Sequence, residues 1–352
     1  MASTLPARVI TGLYGPKPSI QISYPHAAQE PWTWTVEASN STISPNLASC
    51  ITNGESATEV KFAAQGSKVL AIIGHSALII NYAPGRNKDK SVEYGVCLEG
   101  NLGNAHTVEL LPDNELAIAT TGQQSDAGVW IFDSASKADD PSPIQKVTGV
   151  RAIHGMLWDD RHRTLWVAGT TDAADGTGGR AYGTIQGYEY RNKTLLESFN
   201  YTMASASQLA SEWKTYANWW DGPHDLVPVP STRMVLMPTD QDIYALDLST
   251  GEFNSSGEQL VNEYLGGFHP VDSDRVGYDG VSRPRSDIKS VSLYRAGAAV
   301  GALYTQAQWR DEAAIPKQVN FLDANGALSV MYKGQRVYRS RWFEEVDGWR
   351  TA

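Results

Sequence analysis

Three histidines open segments that look alike: HTVELLPDNELAIATTG from His106, HGMLWDDRHRTLWVAGTT from His154 and HDLVPVPSTRMVLMPTD from His224. A neutral imidazole takes up and returns a proton near neutral pH, and it also ligates divalent metals. Two more segments follow the same pattern, TEVKFAAQGSKVLAIIGHSALIINY from Thr58 and KSVSLYRAGAAVGALYT from Lys289. The lysine places a fixed cation at the offset that elsewhere holds histidine. One histidine at a strand start is ordinarily structural. Three at one repeat offset, with a lysine at a fourth, point to a shared site.

These offsets have meaning only if the segments are repeats of one supersecondary unit. In each, the polar opening residue leads a short strand, a turn and a strongly apolar second run that begins at Val69, Leu116, Leu165, Val235 or Val300. Outer strands follow at VWIFD, GYEYRN and YALDLSTGEF. This is the rhythm of four-stranded propeller blades with long loops on one side. RVYRSRWF near the C-terminus is placed to join RVITGLYG, PSIQISYP and PWTWTVEA near the N-terminus in one blade, which closes the circle and removes free sheet edges. The expectation is an all-β, seven-bladed propeller forming one domain over residues 1–352, with six blades as the alternative and 315–335 as the source of the remaining blade. SASQLASEWKTYANWWDGP, between the His154 and His224 segments, is the best helix candidate.

In a propeller the first strand of each blade lines the central channel and the second returns antiparallel. Thr58, His106, His154, His224 and Lys289 therefore gather at one mouth, joined by His75 from the end of a second strand. His106, His75 and His154 are the candidate catalytic residues. His106 is the first choice as base, because it opens an inner strand and follows Asn104. Loops at the same face bring Gln123, Asp240, Asn104, Arg151, Trp219, Trp220 and Arg310, and His269 in GGFHP reaches in from a longer loop. Asn104, Arg151, Trp219, Trp220, His224, His269, Lys289 and Arg310 are the candidate substrate-binding residues. His162 in DDRHR and His26 read as surface residues.

The net charge of −10, without runs of Lys or Arg, disfavours nucleic acid and anionic membrane surfaces as partners. No apolar run approaches the ~20 residues that span a bilayer, and MASTLPARVI lacks the apolar region of a signal peptide. Sequons at Asn40, Asn192, Asn200 and Asn254 favour secretion weakly. Cys50 and Cys97 are expected to pair across neighbouring blades in a secreted protein. A G-x-S-x-G elbow, an H-E-x-x-H pair and a P-loop are all absent.

Histidines, cations and tryptophan faces are the ingredients for β-elimination at a uronic acid. The C5 proton becomes labile once the adjacent carboxylate is neutralised, and the O4 substituent then leaves. NAHTVELLPDNELAIATTG, HGMLWDDRHRTLWVAG, GPHDLVPVP and DIKSVSL, with WTW near the N-terminus, resemble fungal rhamnose–glucuronate lyases, a β-propeller family of polysaccharide lyases. The resemblance spans about residues 30 to 345. It implies seven blades and secretion by a fungus; apart from the resemblance, the expectation is a monomer with no required cofactor, a structural or catalytic divalent cation being the alternative. The resemblance also implies removal of terminal L-rhamnose α-1,4-linked to glucuronate in the acidic side chains of gum arabic-type arabinogalactan. The products would be free rhamnose and a 4,5-unsaturated uronate. His106 and His154 match the motif histidines. Two alternatives stand beside it. One is a metal-dependent oligouronide lyase in which His106, His154 and His224 hold a divalent cation. The other is a sugar-binding propeller that uses its tryptophans without catalysis.

Overall fold

The computed structural model describes residues 7–25, 29–39, 43–136, 138, 140–209, 218–296, 299–311 and 313–350. The chain opens with β1 (Val9–Leu13), β2 (Ser19–Ser23) and β3 (Trp32–Trp34), followed by α1 (Pro45–Thr52). The first complete blade is β4 (Ala57–Ala63), β5 (Lys68–Ile73), β6 (Ser76–Asn81) and β7 (Val92–Cys97). The second is β8 (Ala105–Leu111), β9 (Glu115–Thr120), β10 (Gly128–Asp133) and β11 (Gln145–Thr148). The third is β12 (Arg151–Asp159), β13 (Thr164–Thr170), β14 (Gly183–Arg191) and β15 (Thr194–Thr202). The fourth is β16 (Val227–Pro228), β17 (Met234–Pro238), β18 (Ile243–Asp247) and β19 (Glu252–Asn254), with α2 (Gly257–Tyr264) after it. The fifth is β20 (Ile288–Ala296), β21 (Ala299–Gln306), β22 (Val319–Leu322) and β23 (Leu328–Met331).

The last strand, β24 (Val337–Trp342), pairs antiparallel with β1 and takes the innermost place in a sheet ordered β24-β1-β2-β3. The ring is thus sealed by both ends of the chain, as the sequence suggested. The protein is an all-β propeller of six four-stranded blades. The expectation of seven is corrected. Residues 319–331 do not found a blade but supply the two outer strands of the fifth, because β23 is exposed on alternate residues and has no inner partner to bury it.

The second strands β5, β9 and β13 are buried on nearly every residue, since each is covered by a neighbouring blade on both faces. Runs such as KVLAII, ELAIAT and TLWVAGT follow from that double burial. Outer strands lose one neighbour, and β2 accordingly alternates buried with half-buried residues. The helix candidate at 205–223 falls partly on 210–217, outside the described residues. Its flanks form an isolated bridge, Gln208 to Trp220.

Candidate functional site

Five of the six innermost strands begin with a register shift against their partners. In β4 the shift falls between Ala57 and Glu59, in β8 between Ala105 and Thr107, in β12 between Arg151 and Gly155, and in β20 between Ile288 and Ser290. In β24 it falls opposite the step from Thr11 to Leu13. An extra residue on one strand bends it and re-aims a side chain. Thr58, His106, His154 and Lys289 sit at these kinks. They line one cavity of about 720 Å³ at the channel mouth, together with His224 and Tyr338.

His106 and His154 are held in the same manner. Nδ1 of each lies 2.9 Å from the carbonyl oxygen two residues back, Asn104 O and Ala152 O. A carbonyl only accepts, so Nδ1 carries the proton and Nε2 keeps its lone pair. Burial, together with the cations and imidazoles nearby, pushes the His106 pKa down to about 3 and that of His154 well below its ordinary value. Both rings are neutral at neutral pH. Their centroids are 4.8 Å apart, His154 is 5.2 Å from His224, and His106 is 5.1 Å from Tyr338.

His224 is the most constrained of the three. Its Nε2 is 2.6 Å from Asp240 Oδ1 and also 2.6 Å from Lys289 Nζ, while Nδ1 faces the Tyr338 hydroxyl at 3.4 Å. One ring nitrogen cannot donate to the carboxylate and accept from the ammonium at once. Whichever partner wins sets the proton on Nδ1, and with it whether Tyr338 donates or accepts. Burial keeps the Tyr338 phenol protonated far above its usual range and lowers the His224 pKa.

His224, Asp240 and Asp287 are the only donors among the described residues that could close on a metal ion as a group of three, their ligand atoms lying within 4.8 Å of one another. Lys289 Nζ stands among them, 3.2 Å from Asp287 Oδ1 and 3.8 Å from Asp240 Oδ1. The ammonium takes the place such an ion would take. The alternative set His106, His154 and His224 does not come together as such a group among the described residues.

His75 lies exposed on the rim of the same cavity. Its turn is fixed from behind: the His75 N–H donates to Cys50 O at 2.8 Å, and Gly74 has φ +57 with Ile51 O only 2.2 Å from where a Cβ would stand. Cys50 is disulfide-bonded to Cys97. The pairing is the expected one, but it ties α1 to the outer strand of the blade that follows instead of joining two blades.

Asn104, Trp219 and Trp220 also line the cavity. Arg151, His269 and Arg310 do not. Arg151 pairs with Asp172 at 2.6 Å behind the wall. Arg310 bonds Val276 O and covers the Tyr278 ring at 4.0 Å. The His269 backbone is tied to the Tyr304 hydroxyl on the fifth blade. His162 is half exposed at the opposite face and bonds Asp159, and His26 lies outside the described residues. Tyr338 was missed by sequence reasoning. The signal was present, because each opening residue follows a buried apolar or proline residue, and Tyr338 follows Val337 in the closing strand.

No family model and no curated protein match the chain. Solved structures share only its fold. The allergen Mala s 1 of Malassezia sympodialis is 11% identical, with a TM-score of 0.49 over 85% of this chain and 84% of that one. A hypothetical selenium-binding protein from Sulfolobus tokodaii is 11% identical, with 0.46 over 99% and 96%. A putative 6-phosphogluconolactonase from Bacteroides uniformis is 14% identical, with 0.42 over 72% and 68%.

Proposed function

We propose that the protein is a polysaccharide lyase that cleaves a 4-O-substituted glucuronate by β-elimination, releasing terminal L-rhamnose from acidic arabinogalactan. The observation that carries this reading is the pair of Nε2 lone pairs on His106 and His154, held open at a cavity large enough for a disaccharide. His106 Nε2 takes the C5 proton. The C–H electron pair becomes the C4–C5 double bond, and the C4–O4 bond breaks. Tyr338, protonated and beside the His106 ring, supplies the proton to the departing O4. Lys289 provides the positive charge that the uronate carboxylate requires, and Trp219 and Trp220 offer faces for the sugar. A bound carboxylate raises the pKa of a neighbouring imidazole. His106 is therefore a weak base on its own and a stronger one beside its substrate. The Cys50–Cys97 disulfide favours an oxidising, extracellular setting.

The test is incubation with glucuronate-capped arabinogalactan, following free rhamnose and the ultraviolet absorbance of an unsaturated uronate. His106→Ala should lose about 10²–10⁴ in turnover, the usual worth of acid–base help, with its unfolding midpoint near that of the parent. Rhamnose released with a saturated glucuronate end would show hydrolysis and reject the reading, as would full activity in the variant. Binding without any product would leave the sugar-binding alternative, for which the two tryptophans speak.

A further inference from the structure

We propose that the groove between the third and fourth blades, at the face opposite the histidine mouth, is a second binding site, for the carboxylate-bearing ring of an acidic saccharide. The groove is a cavity of about 430 Å³ whose walls include Arg161, His162, Trp166, Glu189, Phe199 and Arg233. It lies at the far end of the blades because the turn from β12 to β13, which carries Arg161 and His162, is at the end of β12 remote from His154.

Two observations fix the kind of ligand. The first is a pair of unmet donors. Trp166 is 3% exposed, and its indole N–H is buried with no acceptor. One terminal nitrogen of Arg233 is likewise buried and unpaired, while the other bonds Asp159 at 2.7 Å. An indole N–H and a guanidinium only donate. Both donors belong to residues of the groove wall, so what the wall lacks is an acceptor, and a carboxylate meets a guanidinium best. The second is the wall. Trp166, Phe199 and Tyr201 are stacked, with Trp166 to Phe199 at 5.5 Å and Phe199 to Tyr201 at 6.3 Å. Phe199 remains 46% exposed, an apolar face turned outward. The C–H face of a pyranose ring packs on such a surface, and a bare phosphate gains nothing from it.

The polar rim completes the fit. Asp159 accepts from His162 Nδ1 at 3.0 Å, which leaves Nε2 as an acceptor for a sugar hydroxyl. Arg161 is exposed and has no ion pair among the described residues. Arg233 is met by Asp159 and Glu189 by Arg191, so Arg161 is the unmatched charge of the wall, and a cation on a chain of net charge −10 selects an anion. The site is independent of the reaction proposed at the channel and stands without it.

The test uses the full chain in the His106→Ala background, so that no ligand is consumed. Hydrogen exchange is followed on adding a short oligoglucuronide, a neutral glucose oligomer of equal length, or inorganic phosphate. The oligoglucuronide should protect 161–166 and 187–199, and Phe199→Ala combined with Arg161→Ala should weaken that protection at least about tenfold in concentration, about 1.4 kcal/mol. Both substituted residues are exposed, and an unchanged unfolding midpoint establishes that the variant folds. Trp166→Phe keeps the stack and removes the N–H, and it should weaken binding alone. The proposal is overturned if protection is confined to the channel mouth, survives the double substitution, or is matched by the neutral oligomer or by phosphate. Loss of lyase activity has no bearing on this readout.

Discussion

The two ends of the central channel bury polarity in opposite ways. At the mouth, His106 and His154 present lone pairs with no protein partner among the described residues. A few residues deeper, four of the six blades carry formal charge, and the charges cancel: Glu59, Glu109 and Asp225 against Lys61, Arg339 and Arg341. Arg339 spans the axis. Its guanidinium pairs with Glu59 and donates to the carbonyls of His154 and His224, thus joining the closing strand to three other blades. Arg341 bonds Glu59 and Asp225, and Lys61 bonds Glu109 at 2.8 Å and Met156 O at 2.7 Å. These cations hold the Glu59 pKa down to about 2 despite complete burial. The deeper layer is a charge-matched network that fixes the ring, with Arg339 Nε its one buried donor left without a hydrogen bond among the described residues. The upper layer is left unsaturated, which suits it to meet a ligand.

Breaking the charge-matched layer should have the largest effect. Arg339→Met leaves Glu59 buried beside fewer cations and strips two carbonyls of their donor. Loss of one partner from a buried pair costs about 3–5 kcal/mol. The urea midpoint should fall accordingly, and Arg339→Lys should recover little, since an ammonium cannot reach all three acceptors in one plane. A midpoint within a few tenths of a kcal/mol of the parent would show that the ring does not depend on this plug. His106→Ala, in the unsaturated layer, should leave the midpoint nearly untouched.

Lys289 stands at the boundary between the two layers, and its removal sharpens the contrast. Lys289→Met leaves Asp240 and Asp287 facing each other across His224 with no cation between them. The variant should be less stable than the parent and should be rescued by a divalent cation, by about 2.7 kcal/mol at a hundredfold excess over the dissociation constant. The parent should gain nothing from the same ion. Thermal unfolding with and without the metal decides the matter. Equal stabilisation of both proteins would mean that the ammonium does not occupy the ligand set.

Much of this was legible in the sequence because double burial writes itself as continuous apolar runs. The second strands, their spacing and the strand that seals the ring all followed from that. The gathering of Thr58, His106, His154, His224 and Lys289 followed from the repeat offset. Blade number did not, because VNFL and LSVM read equally well as the start of a blade or as the outer strands of one. Loop side chains were also unreadable. Nothing in the sequence tells Arg151 to choose Asp172, or Arg310 to lie on Tyr278, over a ligand. Tyr338 was overlooked because RVYRSRWF was read as a seam and not as a sixth repeat with its own opening residue.

The smallest expected effect is a pH dependence of stability that separates the layers by sign. The three histidines have depressed pKa values in the folded protein, so the unfolded chain binds more protons below about pH 6.5. Their contribution is complete above that pH and is lost as the pH falls below it, for His106 down toward about 3. Each is worth at most ~1.4 kcal/mol per pH unit, and half-buried His106 less, through solvent screening. Asp287 opposes them. Burial raises its pKa to about 6, so it favours folding on acidification between about 6 and its ordinary 3.8. Glu59 contributes only below about 4.5, where its stabilising ionisation begins to be lost. Burial raises the pKa of Asp221, Glu109 and Glu115 as well, so these carboxyls act with Asp287 against the imidazoles, and the comparison is between variants. From pH 7 to 5 the urea midpoint of the parent should fall more, or rise less, than that of His106→Asn, because asparagine keeps a polar side chain there without a titrating ring. Identical slopes in the two proteins would mean that the His106 imidazole is as well hydrated in the folded protein as in the unfolded chain.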